Sequence, residues 1–201
     1  LVSKPAFQEK AIKAIENLAL KTKNNKTAML VGGPRVEPGK LYNSFFLLDG
    51  GEVKTYRDKQ CLPNYGVFDE KRVFDKGIPQ GPVNFRGMKI GLMICEDMWF
   101  PDVAETLMES GAEILLAPQA SPFAGRKREE RLQQGIARVT ETGFPLIVLN
   151  QVGGQDELVF DGSSFVLDKK CMLTCQLPSF EEVMISQNWI REGGYWVPQR
   201  S

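Results

Sequence analysis

The apolar positions near the start of the chain repeat with a helical period. Phe7, Ala11, Ile12, Ile15, Leu18 and Ala19 share one face of residues 5–23, and Pro5 suits the first turn, where a missing N–H costs nothing. Asn24 and Asn25 mark the end of this helix. The period then changes to that of strands. Residues 27–31 predict a short strand, which Gly32-Gly33-Pro34 breaks; residues 41–48 and 52–57 predict two strands joined by Asp49-Gly50-Gly51, a hairpin signal. Residues 58–82 show little periodicity and much Pro, Gly, Asp and Lys. An irregular stretch of that length is functional or disordered, and Tyr65, Phe68 and Phe74 argue against simple disorder.

Residues 88–94 follow the turn Arg86-Gly87 and are mostly apolar, as in a strand buried on both faces. Residues 101–110 predict a helix with Pro101 in its first turn and Gly111 just past its end. Residues 114–117 predict another buried strand, 126–142 a charged helix closed by Gly143, and 146–149 the next strand. A further hairpin is expected from 163–167 and 171–177 around Asp168-Lys169-Lys170. Strand, helix, strand, helix, strand, flanked by hairpins, predicts an α/β layered domain with a mixed sheet. No internal repeat, linker or low-complexity segment interrupts it. After Glu181 the pattern fades, and Gly193-Gly194-Tyr195-Trp196-Val197-Pro198 reads as a tail or extension without an assigned place.

Composition narrows the chemistry. Lys plus Arg equals Asp plus Glu at 25 each, which argues against nucleic acid or an anionic membrane as an obligatory partner. No apolar run is long enough to span a bilayer, and residues 1–10 lack a signal-peptide pattern, so a cytoplasmic setting is expected. The chain begins at Leu1 rather than Met, and an upstream segment is expected. The four cysteines, Cys61, Cys95, Cys171 and Cys175, are not spaced as a zinc site, and no metal is expected. The chain has no histidine. That removes Ser–His–Asp hydrolases and Cys–His proteases and amidotransferases. With Leu1 at the start, an N-terminal nucleophile hydrolase is not expected either. A cysteine nucleophile here needs a carboxylate or a lysine as its helper.

Four segments carry candidate chemistry. In Gly91-Leu92-Met93-Ile94-Cys95-Glu96-Asp97-Met98-Trp99 a cysteine stands where a buried strand ends and a helix soon begins. Such a junction aims a side chain at a ligand, and backbone N–H groups after it can hold an oxyanion. The plain alternative is a packed strand-end thiol. Lys59 opens a second segment, Lys59 to Arg72, and can steady a thiolate or a negative oxygen if it reaches the same sheet edge; otherwise it is a solvated lysine. A third, Ala117-Pro118-Gln119-Ala120-Ser121-Pro122-Phe123, again follows a strand end, where open α/β sheets bind ligands. Ser121 can hydrogen-bond a substrate, and Arg126 or Lys127 can pair with a carboxylate. The alternative is a capping serine with ordinary surface cations. The fourth, residues 150–163, follows the next strand end, and its Gly153-Gly154 pair lets backbone pass close to something.

Taken together, in order, these segments resemble the nitrilase superfamily of carbon–nitrogen hydrolases, and within it the glutamine amidohydrolase domains of glutamine-dependent NAD synthetases. The resemblance rests on Lys59-Gln60-Cys61-Leu62-Pro63-Asn64-Tyr65-Gly66-Val67-Phe68-Asp69-Glu70, on Ile94-Cys95-Glu96-Asp97-Met98-Trp99, on Ser121-Pro122-Phe123, and on the run from Asn150 to Gly162, and it covers residues 1–182. It implies a four-layer αββα sandwich, without its first strand in this chain, over residues 1–182, followed by the extension 183–201. It implies a Glu–Lys–Cys triad with Cys95 as nucleophile and Lys59 as the lysine. Tyr65 and Glu70 fall at positions lining a glutamine pocket, Glu70 as a second glutamate that orders the site. Trp99, Ser121, Arg126 and Lys127 are further candidates for substrate contact. The triad glutamate is expected upstream of Leu1. The implied partners are glutamine, a synthetase domain of the same polypeptide and further copies in a homo-oligomer. No cofactor is implied for this domain, whereas ATP and Mg are implied for the synthetase half. Two other readings stay open: a free-standing amidase acting on a small amide, and a non-catalytic assembly subunit.

Overall fold

The computed structural model describes residues 1–199, in two compact units, Leu1–Pro79 and the described residues from Gln80 onward. The helical period of the first unit becomes α1, Pro5–Lys21, with Pro5 in its first turn. The helix stops two residues before the expected end. The Thr22 hydroxyl donates to the Ala19 carbonyl at 2.7 Å and accepts from the Gly51 N–H at 2.9 Å, which ties the helix end to a hairpin turn.

Three antiparallel strands follow: β1, Met29–Glu37, β2, Lys40–Asp49, and β3, Glu52–Asp58, in the spatial order β1-β2-β3. The expected break at Gly32-Gly33-Pro34 does not occur, and β1 runs straight through it, with Pro34 opposite Asn43. Two physical reasons account for this. β1 lies at the edge of the sheet, where a missing N–H is tolerated. A Cβ on Gly33 would lie 2.7 Å from the Ile15 Cδ1, so glycine there lets α1 rest close on the strand. The core of this unit is Ile15 and Ala19 of α1 against Phe46 and Leu48 of β2, with Leu18, Met29, Val31 and Tyr56 packed around them.

The second unit holds a six-stranded mixed sheet. Its strands are β4, Val83–Phe85, β5, Met88–Leu92, β6, Ile114–Gln119, β7, Leu146–Asn150, β10, Phe165–Leu167, and β11, Leu173–Gln176, with β8, Val152–Gln155, and β9, Leu158–Asp161, forming a separate hairpin. The spatial order is β11-β10-β7-β6-β5-β4, parallel from β5 through β7 and antiparallel outside them. Helices α2, Pro101–Glu109, and α3, Lys127–Thr142, supply the two crossovers. α2 packs on β5 and α3, and α3 packs on β7 and β10. The seat of α2 depends on Gly91, where a Cβ would lie 2.8 Å from the Leu115 Cδ2 and 3.2 Å from the Leu107 Cδ1.

Five strands have no counterpart in the sequence pattern: β4, β8, β9 and the two strands of the hairpin in residues 189–198. β4 pairs with β5 through the Arg86-Gly87 turn. The Gly153-Gly154 segment, expected only to let backbone pass close to something, forms the β8–β9 hairpin. The unplaced tail forms another hairpin, β12, Trp189–Glu192, and β13, Tyr195–Pro198, turning on Gly193 and Gly194, both at positive φ. Within this unit Arg191 pairs with Glu113 at 2.6 Å, and the Lys169 ammonium lies 3.3 Å from the Tyr195 ring centre. No helix among the described residues is long and apolar enough to cross a membrane.

Candidate active site

In the first unit the candidate residues follow β3 directly. Asp58 is buried and held from three directions. Arg35 donates to both its carboxylate oxygens, at 2.8 and 2.7 Å, and the Ser44 hydroxyl donates at 2.5 Å. The Arg35 guanidinium is stacked between the Tyr42 and Tyr56 rings, and its bonds to Asp58 hold its pKa above the usual arginine value. The next residue, Lys59, thus leaves a fixed base. Its N–H donates to the Asn43 carbonyl at 2.8 Å and its own carbonyl accepts from Gly77 at 2.8 Å. A Cβ on Gly77 would lie 2.7 Å from the Asp58 carbonyl oxygen, so this crossing of chains needs glycine.

Lys59 is 1 % exposed, and its Nζ donates to Glu70 Oε1 at 2.7 Å. A buried ammonium of this kind needs an anion beside it. Glu70 opens a short 3-10 turn, Glu70–Arg72, and its N–H donates to the Pro63 carbonyl at 3.1 Å. Its second oxygen, Oε2, is buried with no hydrogen-bond partner among the described residues. Carboxylate oxygens in that condition are rare and call for a donor. Tyr65 is exposed on the intervening loop, with its ring edge-to-face on Phe68 at 5.8 Å between centres. The structure thus joins Lys59 to Glu70 and leaves Tyr65 on the loop between them.

In the second unit the candidates gather at the C-terminal ends of the parallel strands. β5 ends at Leu92, and Cys95 opens a 3-10 turn, Cys95–Trp99. Cys95 has φ +50, a left-handed conformation that costs an L-residue about 1–2 kcal/mol. The turn is locked from inside. The Ile94 N–H donates to Asp97 Oδ2 at 2.9 Å, and the Asp97 N–H donates to the Ile94 carbonyl at 3.1 Å. It is also locked from outside: Gln119 Nε2 donates to the Met98 sulfur at 3.3 Å, and Arg138 Nη1 donates to the Met98 carbonyl at 3.3 Å. Glu96, Asp97 and Met98 are all buried. A strained residue kept in place by so many bonds marks a site where geometry matters more than stability.

Trp99 and Lys127 meet, the Lys127 Nζ lying 3.8 Å from the indole centre, and Lys127 also pairs with Glu130 at 3.5 Å. Arg126 is exposed at the start of α3 and is not drawn into this pair. Ser121 follows the end of β6 and is buried. Its peptide is held on both sides. The Ser121 N–H donates to Asn150 Oδ1 at 2.9 Å, while its carbonyl accepts from Asn150 Nδ2 at 3.2 Å and from Arg131 Nη1 at 3.3 Å. Arg131 in turn donates to Asp161 at 2.5 Å, and Asn150 Nδ2 donates to the other Asp161 oxygen at 3.3 Å. Burial pushes the Asp161 carboxyl up, but the Arg131 hydrogen bond and charge, with help from Ser163, bring it below the ordinary carboxylate value.

In the sequence Arg131 and Arg138 stand out only as part of a charged helix. The available signal was position: Arg131, Gly135, Arg138, Val139 and Thr142 are the buried residues of α3 and form one face at helical spacing. Two arginines on an inward face mean buried polar partners nearby.

The carbon–nitrogen hydrolase family profile matches residues 2–188. A glutamine-dependent NAD(+) synthetase of Rhodobacter capsulatus is 42 % identical over 196 residues, 98 % of this chain and 35 % of that protein. The solved glutamine-dependent NAD+ synthetase of Acinetobacter baumannii, in complex with ADP, superposes with TM-score 0.90 at 32 % identity, over 100 % of this chain and 38 % of that one. A mutant amidase of Nesterenkonia sp. AN1, solved with acrylamide added at its active-site cysteine, gives TM-score 0.73 at 28 % identity, over 85 % of this chain and 66 % of that one. The chain therefore spans about a third of the length of the synthetases it matches. The mixed α/β architecture is of the nitrilase type, and the chain belongs to the carbon–nitrogen hydrolase family.

Proposed function

We propose that this chain is the glutamine-hydrolysing part of a glutamine-dependent NAD synthetase. The observation that carries the reading is Cys95, held at positive φ where a parallel strand runs into a locked turn, in a carbon–nitrogen hydrolase with no histidine. The synthetase relatives support it over a free-standing amidase: the Rhodobacter protein matches 98 % of the chain at 42 % identity, whereas the Nesterenkonia amidase is 28 % identical.

The mechanism follows from cysteine chemistry. The Cys95 sulfur attacks the side-chain amide carbon of glutamine and gives up its proton to the glutamate of a Glu–Lys–Cys triad. That proton passes to the departing nitrogen, the C–N bond breaks, and ammonia leaves a γ-glutamyl thioester. Water, deprotonated by the same glutamate, then adds to the thioester and releases glutamate and the thiol. Lys59, oriented by Glu70, and backbone N–H groups of the Cys95–Trp99 turn steady the negative oxygen in both steps. Tyr65, Trp99, Ser121, Arg126 and Lys127 bind the substrate's amino-acid end; of these, Arg126 is exposed while Lys127 is held on Trp99. Residues 1–182 form this domain and 183–201 an extension. A synthetase half of the same polypeptide, in a cytoplasmic homo-oligomer, would take the ammonia, and ATP and Mg held there would supply the activation of deamido-NAD.

The test is an electrophilic glutamine analogue with a chloroketone in place of the amide, applied to the whole protein and followed by peptide mass spectrometry. Labelling of Cys95, slowed by glutamine, is expected. Labelling spread over Cys61, Cys171 and Cys175, or indifferent to glutamine, would sink the assignment.

A further inference from the structure

The bonds around Ser121 form a buried polar network. Arg131 is 1 % exposed and Asp161 2 % exposed. Burying an Arg–Asp pair gains little stability over an apolar pair of the same volume, so its retention asks what it positions. Its bonds converge on one peptide unit. β6 and β7 stay in register to their last pair, Gln119 opposite Asn150, and the Gln151 N–H makes a further ladder bond to the Gln119 carbonyl at 3.1 Å. Beyond that point the strands part. The Asn150 side chain, an amide itself, then takes over the ladder's role, accepting from the Ser121 N–H and donating to its carbonyl. Arg131 reaches the same carbonyl from α3, and Asp161 at the end of β9 holds both Asn150 and Arg131 in orientation. Elements α3, β7 and β9 thus fix one residue of the loop after β6. The Cys95–Trp99 turn is held by a different set, Asp97, Gln119 and Arg138.

We infer that Asn150 and Arg131 are positioning residues for substrate selection: by clamping the Ser121 peptide they set the loop that receives the amino-acid end of glutamine. This rests on the reading of Ser121 as a substrate contact in a Cys95 glutaminase. It separates two jobs, chemistry on the turn after β5 and recognition on the loop after β6. Asn150→Asp keeps shape and the acceptor for the Ser121 N–H. It removes the donor to the Ser121 carbonyl and places a second carboxylate beside Asp161. Arg131→Lys keeps a cation for Asp161 but loses the fork that also reaches Ser121.

Two quantities are measured on the whole protein: KM and kcat for glutamine hydrolysis, and the rate at which iodoacetamide, which has no amino-acid end, alkylates the Cys95 peptide. For Asn150→Asp, KM is expected to rise about tenfold or more, with kcat and alkylation changing by less than about threefold. Arg131→Lys shifts KM in the same direction and by less, and it decides the matter if Asn150→Asp does not fold. An unchanged KM in a folded variant overturns the inference. So does a parallel fall of kcat, 1/KM and alkylation, which marks a network that merely holds the fold. Should the unsubstituted protein fail to hydrolyse glutamine, the glutaminase reading falls and the inference with it. An active parent with unaltered variants overturns the inference alone.

Discussion

At the scale of single residues, Cys95 carries a cost that only its position explains. A left-handed φ of +50 is unfavourable for any side chain and free for glycine. Replacing Cys95 by Ala keeps that cost, whereas Cys95→Gly removes it. Cys95→Gly is therefore expected to be about 1 kcal/mol more stable than Cys95→Ala in urea unfolding, though neither can form a thioester. Equal midpoints would mean that the turn relaxes without its cysteine. The sequence marked Cys95 through the strand before it and through the missing histidines, which left few ways to activate a nucleophile. It marked Lys59 only as a lysine that can reach the same sheet edge, and Glu70 only through resemblance. Their pairing at 2.7 Å depends on the chain crossing at Gly77 and on the Pro63 carbonyl, contacts that no local pattern encodes. Arg131 was missed because a charged helix reads as solvated until its inward face is counted.

At the scale of elements, the periodic segments were legible and the short ones were not. Helices α1, α2 and α3, and the parallel strands β5 to β7, follow from apolar spacing and glycine or proline at their ends. β4 has three residues and each strand of the β8–β9 hairpin four, too few to show a period. Gly32-Gly33-Pro34 looks like a turn, so the sequence predicts too short a β1. Only the approach of Ile15 and the edge position explain a strand there. Between elements, the Arg131–Asp161 pair joins α3 to β9 and gives a pH signature. Asp161 has a folded pKa below its unfolded value near ~3.9, so its contribution to stability is complete above that value. It is lost as pH falls through the lower, folded pKa. Asp161→Asn leaves Arg131 buried beside a neutral amide and is expected to cost about 3–5 kcal/mol at neutral pH. The gap between variant and parent narrows below pH ~4, as read from urea midpoints across the acid range. A constant gap at every pH would mean that the pair is not ionised in the fold.

At the scale of the whole molecule, the chain matches about a third of the length of its synthetase relatives. Its family lies in the ordered set of motifs spread over residues 59–163, more than in any one of them. The proposed synthetase role gives the claim about Cys95 its most direct test. NAD formation by the whole protein is measured for Cys95→Ala with glutamine as nitrogen source and again with ammonium. With glutamine the rate is expected to fall by about a thousandfold or more, and with ammonium it stays near that of the parent, since a synthetase half needs no thioester when ammonia is supplied. Undiminished glutamine-dependent synthesis in Cys95→Ala would contradict the assignment of Cys95 as the nucleophile.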